Sequence, residues 1–368
     1  MSFDIKSWIR AALCVAAGAS LAAEPRKVLI NDDGFGLMHL ALLGSENVEV
    51  VGMTSVSGNT WANRVTAFNL RGLEVAGRTE VPVAAGALFP LVNTELETER
   101  WESLYGRLTW KGAWMKQWVE ETAQALPVYY GPHDPVEIPW GHPELEPIDE
   151  IAANFMIRMV RKYPGQVTII EGGPMTNLAL AQRLDPEFAS LAQELVYMGG
   201  SFNPRQTLDN PVAADFAREF ANSPRREFNI RFDPEAAKIV SRSPWRKITV
   251  VPVDPSTSTQ LTGELLAKLK AVSPPELAEL LSTWPAGFPL WDEIAAAVWL
   301  DPTLVVKKES LFVDYSTAPG AGYGDTLSWR PHYEPGLGER LAEVILEIDR
   351  VALEALLIKS VGGLAEPH

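Results

Sequence analysis

Residues 27–59 read KVLINDDGFGLMHLALLGSENVEVVGMTSVSGN, and their order decides the fold. Lys27–Ile30 predicts a strand, Asn31-Asp32-Asp33-Gly34 a turn, the residues after it an apolar helix, and the next run a second strand ending in Ser57-Gly58-Asn59. A strand, a helix and a second strand in so short a span are the unit from which parallel sheets are built. An open α/β sheet presents ligands with the side chains at the carboxyl end of a strand, just before a helix. Asp32 and Asp33 are therefore candidates for a metal or sugar site, although Asn, Asp and Gly are also ordinary turn formers.

The alternation continues outward from this unit. Strand-like runs recur at Val48–Ser55, Val81–Ala84, Val167–Ile170, Leu195–Met198 and Ile248–Val253, and helical runs at Thr66–Ala76, Ile151–Lys162, Leu178–Arg183 and Asp292–Leu300. The pattern predicts an α/β fold, a mostly parallel central sheet flanked by helices, in one domain over residues 23–368. Residues 88–147 break the rhythm with Trp101, Trp110, Trp114, Trp118 and Trp140 among many prolines and glycines. A stretch this long is more than a connection, and it is expected to form an insert or lid whose tryptophans serve packing or stack on a flat ligand.

Composition narrows the function. The chain has 368 residues, 46% of them hydrophobic, enough for a large core. Residues 1–22 carry Lys6 and Arg10, an apolar run and a final Ser20-Leu21-Ala22, the form of a secretory signal peptide, so the expected location is periplasmic or secreted. Cys14, the single cysteine, lies in that segment, which leaves the mature chain without a disulfide, a thiolate metal site or a cysteine nucleophile. Removing Asp4, Lys6 and Arg10 takes away a net charge of +1 and moves the formal charge from −15 to −16. Such an acidic chain repels nucleic-acid backbones. No later run is long and apolar enough to span a membrane. Self-association is left open.

Four separated pieces make chemical sense together. They are Asn31-Asp32-Asp33 with Asn59; Glu171-Gly172-Gly173-Pro174-Met175-Thr176-Asn177 after a strand; Glu227-Phe228-Asn229; and Leu290-Trp291-Asp292-Glu293 at a helix start. Glu227 and Asn229 are expected on one face of an extended segment, where side chains alternate. A hard cation such as Ca²⁺ needs several oxygen ligands, and Asp33, Asp292 and a carbonyl from the Gly172 turn are candidates. Each piece also has an ordinary reading: a solvated strand edge for Glu227 and Asn229, a helix-dipole partner for Asp292, a turn residue for Asn59, a packing role for His39.

Taken in order, Ile-Asn-Asp-Asp-Gly, Val-Gly-Met-Thr-Ser-Val-Ser-Gly-Asn, Gly-Gly-Pro-Met-Thr-Asn-Leu-Ala-Leu-Ala, Met-Gly-Gly, Glu-Phe-Asn-Ile-Arg-Phe-Asp-Pro-Glu-Ala-Ala and Trp-Asp-Glu-Ile-Ala resemble the blocks of the inosine-uridine preferring nucleoside hydrolases. The resemblance implies a Ca²⁺-dependent enzyme that cleaves the N-glycosidic bond of a ribonucleoside. It places Asp33 as calcium ligand and general base, the Gly172 carbonyl and Asp292 as further ligands, and Asn59, Glu227 and Asn229 around the water and the ribose. Asn31 falls at the first aspartate of the family motif, on the substrate side, and Asp32 is the substitute ligand nearest to hand.

Two departures stand out. Leu37 and Met38 align with adjacent family aspartates that grip the ribose and the calcium, and Trp291 replaces a histidine associated with protonating the leaving base. The acid would then be another group or solvent, with His133 and His142 among the candidates. Two rivals follow: an exported nucleoside- or sugar-binding protein that has lost catalysis, and a metal-dependent 5′-nucleotidase of the survival-protein-E type, which the Asn31–Gly34 turn also resembles.

Overall fold

The computed structural model describes residues 24–125 and 128–365, and the predicted export segment, residues 1–22, lies outside them. Nine strands of the described residues make one sheet: β1 (Arg26–Asp32), β2 (Val48–Ser55), β3 (Val83–Ala84), β4 (Val167–Glu171), β5 (Glu194–Met198), β6 (Ile248–Val251), β7 (Val305–Tyr315), β8 (Thr326–Trp329) and β9 (Arg340–Ile348). Their order is β3-β2-β1-β4-β5-β6-β9-β7-β8. Pairs from β3 through β9 are parallel, and β7 runs antiparallel to both β9 and β8.

Strand geometry sets the layers. Val28 and Ile30 of β1 pack into a core with helices Leu37–Leu43, Asp292–Leu300 and Arg350–Gly362, while Leu29 between them packs into a second core on the other face with Ala152–Lys162, Thr176–Leu184 and Pro234–Ser241. Successive side chains of a strand point to opposite faces, so a strand covered on both sides reads as an unbroken apolar run. That is why β1 and β4 are recognisable from sequence. β7 and β9 carry Lys, Glu and Arg between their apolar residues at the sheet's antiparallel end, and the sequence reading passes over them. β3 is shorter than expected, two residues in place of four.

From β1 the chain builds outward to β2 and β3 on one side, then returns to place β4, β5 and β6 on the other. The strand order therefore reverses beside β1, between β1 and β4, where open α/β sheets leave a crevice at the carboxyl ends of the strands. Asp32 ends β1 there and Asp33 follows it, and Gly172 follows β4.

The Trp-rich stretch lies against this edge. Its helix Glu95–Tyr105 is capped by Thr94, whose hydroxyl accepts from the Glu97 N–H at 3.1 Å. The Ala113 N–H reaches the Gly58 carbonyl at 2.8 Å, which requires the positive φ of Gly112; a Cβ there would lie 2.1 Å from the same oxygen. Trp114 stacks on Phe232 at 4.3 Å, Trp140 packs on Phe35 and Phe68, and Trp101 lies under the guanidiniums of Arg226 and Arg231. For these three tryptophans the packing expectation holds.

Candidate active site

The floor beneath the crevice is a closed polar network. Asn31 is wholly buried, donates from Nδ2 to both carboxylate oxygens of Glu171 at 2.8 Å, and accepts at Oδ1 from Thr54 at 2.7 Å and Asn177 at 2.8 Å. Every polar atom of its side chain is thus engaged, as burial demands. The side chain ties β1, β2, β4 and the helix after β4 together, and it does not line the cavity above. The expected contact of Asn31 with substrate is therefore replaced by a supporting role.

Asp33 sits one layer higher. Its Oδ2 accepts from the Asn59 backbone N–H at 2.7 Å and its Oδ1 from Asn59 Nδ2 at 3.0 Å. Burial pushes its carboxyl up to about 7, against the pull of those two donors. Gly58 makes the approach feasible, because a Cβ there would lie 1.9 Å from Asp33 Oδ2. Asp32 accepts from the Asp33 N–H at 2.7 Å and is held well above the usual carboxylate range by burial and by the charge of Asp33.

His39 is buried in the helix after the turn. Its Nδ1 accepts from the Gly36 N–H at 3.2 Å and stands 3.6 Å from Asp32 Oδ2, too far for a hydrogen bond. Burial drives the ring down to about 3, so it is neutral at physiological pH. Its Nε2 has no partner among the described residues, so the packing role comes with one orphaned polar atom.

Glu227 and Asn229 require a correction. They are not on a strand: Glu227 is the N-cap of the helix Phe228–Phe232. Its Oε1 accepts from the Asn229 N–H at 2.8 Å, and Oε2 from Gly200 at 3.1 Å and Ile230 at 3.2 Å. A carboxylate satisfying the orphan amides at a helix start overrides the alternation argument. Burial still raises Glu227 to about 7. Asn229 donates from Nδ2 to the Gly172 carbonyl at 2.8 Å, and its Oδ1 accepts nothing from the described residues.

These pieces meet in a cavity of about 280 Å³ lined by Asn59, Gly172, Glu227, Asn229, Trp291 and Asp292, with Asp33 directly behind Asn59. The carboxylate of Asp292 makes no hydrogen bond among the described residues; burial and the charges of Asp32 and Glu293 hold it well above its ordinary range. The opposite half of the cavity is aromatic. Trp110 from the insert donates Nε1 to Asn59 Oδ1 at 2.8 Å, Trp291 meets the edge of Phe216 at 4.7 Å, and Phe228 and Phe288 complete the wall. Trp110 was named from the sequence only as one of the insert's tryptophans, and Phe216 and Glu219 escaped it, because their significance comes from where the helix Pro211–Asn222 is placed. His133 and His142 are exposed and line no part of the cavity.

The sequence model of the inosine-uridine preferring nucleoside hydrolase family matches residues 29–355. A pyrimidine-specific ribonucleoside hydrolase of Salmonella newport is 28% identical over 89% of this chain and 94% of its own. A probable uridine nucleosidase of rice is 32% identical over 61% of this chain and 56% of its own length. In structure, a plant nucleoside hydrolase superposes with a TM-score of 0.66 over 92% of this chain and 99% of the other, at 24% identity, a likeness that concerns the fold. The sequence blocks, the parallel sheet with its crevice beside β1 and the extent of the family match lead to one assignment: the chain belongs to the inosine-uridine preferring nucleoside hydrolase family, a family of N-glycosidases.

Proposed function

We propose that this protein hydrolyses the N-glycosidic bond of ribonucleosides to free base and ribose, with Asp33 as general base. The observation that carries the reading is Asp33 clamped by Asn59, which itself lines the polar end of a cavity whose other end is aromatic. Such a cavity divides a nucleoside as its chemistry divides, hydroxyls toward carboxylates and amides, base toward rings. The named substrates of the relatives, pyrimidine ribonucleosides and uridine, support the class and leave the choice of base open.

The steps follow from the residues. Each Asp33 oxygen receives one hydrogen bond and keeps a second acceptor site for a water. A carboxyl near 7 is ionised in a useful fraction at neutral pH and is basic enough to take the water's proton. Two bonds from one asparagine fix its direction, and such positioning lowers the barrier. Asn229 Oδ1 offers an unused acceptor to a sugar hydroxyl. As the base leaves, the sugar gains oxocarbenium character, and the carboxyl oxygens of Asp292 and Glu227, which line the cavity, present partial negative charge to it. Direct attack by water predicts inversion at the anomeric carbon.

The calcium implied by the resemblance does not fit these residues. Ca²⁺ takes six to eight oxygen ligands, whereas no three His, Cys, Asp or Glu side chains among the described residues are placed to hold an ion together. Leu37 and Met38 are buried in the core, and Met38 Cε lies 3.0 Å from where a Gly172 Cβ would be, so a thioether packs against the turn whose carbonyl was the expected ligand. Asp32 is turned to the Asp33 amide and the Gly172 carbonyl to Asn229. No step above passes through a metal.

The test is base release from a panel of purine and pyrimidine ribonucleosides by the purified chain, with calcium and with chelator, beside Asp33→Asn. Release that the variant loses is the expected result. No release from any nucleoside overturns the reading and favours the binding protein. The family match leaves the nucleotidase without support, and phosphate release from a nucleotide would restore it.

A further inference from the structure

We propose that Glu219 is the acid that protonates the departing base. The inference rests on the hydrolase reading above and concerns a step that reading leaves without a residue: Trp291 stands where the resemblance implies a histidine, and an indole N–H is a hydrogen-bond donor, not a titrating acid.

Glu219 lies on the helix Pro211–Asn222 and lines the cavity that Asn59, Asn229, Asp292 and Trp291 also line. One turn earlier on the same helix, Phe216 meets Trp291 edge-on at 4.7 Å, which puts this helix over the aromatic half, where a base would lie. The Glu219 carboxyl makes no hydrogen bond and no ion pair among the described residues. Its helix neighbours are already committed: Arg218 pairs with Asp215 at 3.2 Å and with Glu120 at 3.0 Å. A carboxyl left unpaired beside aromatic rings suits a group that must meet a ligand.

The charged groups around it are Glu227, which raises it, and Arg226 and Arg231, which lower it; Asp292 faces the same cavity, and Asp215 and Arg218 share its helix. Burial outweighs the arginines and lifts the carboxyl to about 8, so it holds its proton at neutral pH. The two ends of the cavity are thus poised for opposite work, a pairing that marks acid and base partners.

The step balances. The C–N bond breaks with its electron pair going to the base nitrogen, which takes the Glu219 proton. Water bonds to the anomeric carbon and gives a proton to Asp33. Solvent returns Asp33 and Glu219 to their starting states.

The experiment compares Glu219→Gln with the full-length parent on a ribonucleoside and on 4-nitrophenyl β-D-ribofuranoside, whose leaving group departs without protonation. The expected result is a loss of about 10²- to 10³-fold in kcat on the ribonucleoside with a change of no more than about threefold on the aryl riboside. In the parent, kcat on the ribonucleoside should fall as pH rises through about 8, while that on the aryl riboside stays level. This second comparison needs no variant to fold. Equal losses on both substrates, or no loss on either, overturn the proposal while the hydrolase reading stands. A parent inert on both substrates overturns the two together.

Discussion

Trp110 donates its indole N–H to Asn59 Oδ1 over 2.8 Å, and Asn59 passes its own two donors to Asp33. A residue of the insert thus orients, through one intermediary, the carboxyl proposed as base. Trp110→Phe keeps the ring and removes the bond, which is worth about 0.5–1.5 kcal/mol. We expect kcat/KM to fall by up to about tenfold with the thermal midpoint nearly unchanged. A variant with unaltered kinetics would separate the insert from the chemistry.

Asp33→Asn should lower kcat by about 10²- to 10⁴-fold, the usual contribution of a general base. The parent's rate should climb as pH rises through about 7, because only the ionised carboxyl accepts a proton, and the variant's residual rate should lose that limb. Rate measurements from pH 5 to 9 decide it; an acidic limb that persists in the variant points to Glu227, which lies in the same range.

The fold should be more stable in mild acid than in mild base. Asp33, Glu227 and Asp233 are raised by burial to about 7, 7 and 6. A carboxyl raised in the native state binds its proton there when the unfolded chain has released it. Its contribution is full below the unfolded value near 4 and is lost as pH rises through the native value, together on the order of a few kcal/mol. Calorimetry at pH 5.5 and pH 8 should give the higher midpoint at pH 5.5, and the reverse order would contradict these assignments.

Met38→Asp would place a carboxylate beside Gly172 and Asp32, where the thioether now packs. Burying that charge should cost several kcal/mol without a cation. Calcium at millimolar concentration should then raise the variant's melting temperature and leave the parent's unchanged. A parent that calcium stabilises equally would show that the site holds the ion without this ligand.

Gly112→Ala should both destabilise the protein and impair it. The residue has a positive φ, and the added Cβ would meet the Gly58 carbonyl at 2.1 Å, so the insert must shift from the loop that carries Asn59. We expect a loss of at least about 1–2 kcal/mol in urea unfolding and a larger fall in kcat than Trp110→Phe causes.

Much of the sheet was legible because its strands are covered on both faces: strand Val48–Ser55 has the bounds read from sequence, and so does the apolar helix Asp292–Leu300. Glu227 was found but misplaced, since two of its three backbone partners are a helix start that alternation does not reveal. Asn31 was assigned to the ligand because it falls at the first aspartate of the family motif, while its partners Thr54, Glu171 and Asn177 come from other elements. Glu219 carries no local signal; a glutamate on an amphipathic helix becomes noticeable only once the cavity closes around it.

The network around Asn31 has a consequence for how such an enzyme diversifies. Thr54, Glu171 and Asn177 all meet at Asn31, so a change at Asn31 takes a partner from all three, and the foundation is locked against drift at its hub. Apart from Trp110, which is bonded to Asn59, the aromatic wall carries no such hydrogen-bond interdependence, its rings Phe216, Phe228, Phe288 and Trp291 coming from separate stretches of the chain. Appetite for one nucleobase or another is therefore free to wander by substitution overhead, while the machinery underneath stays as it was inherited.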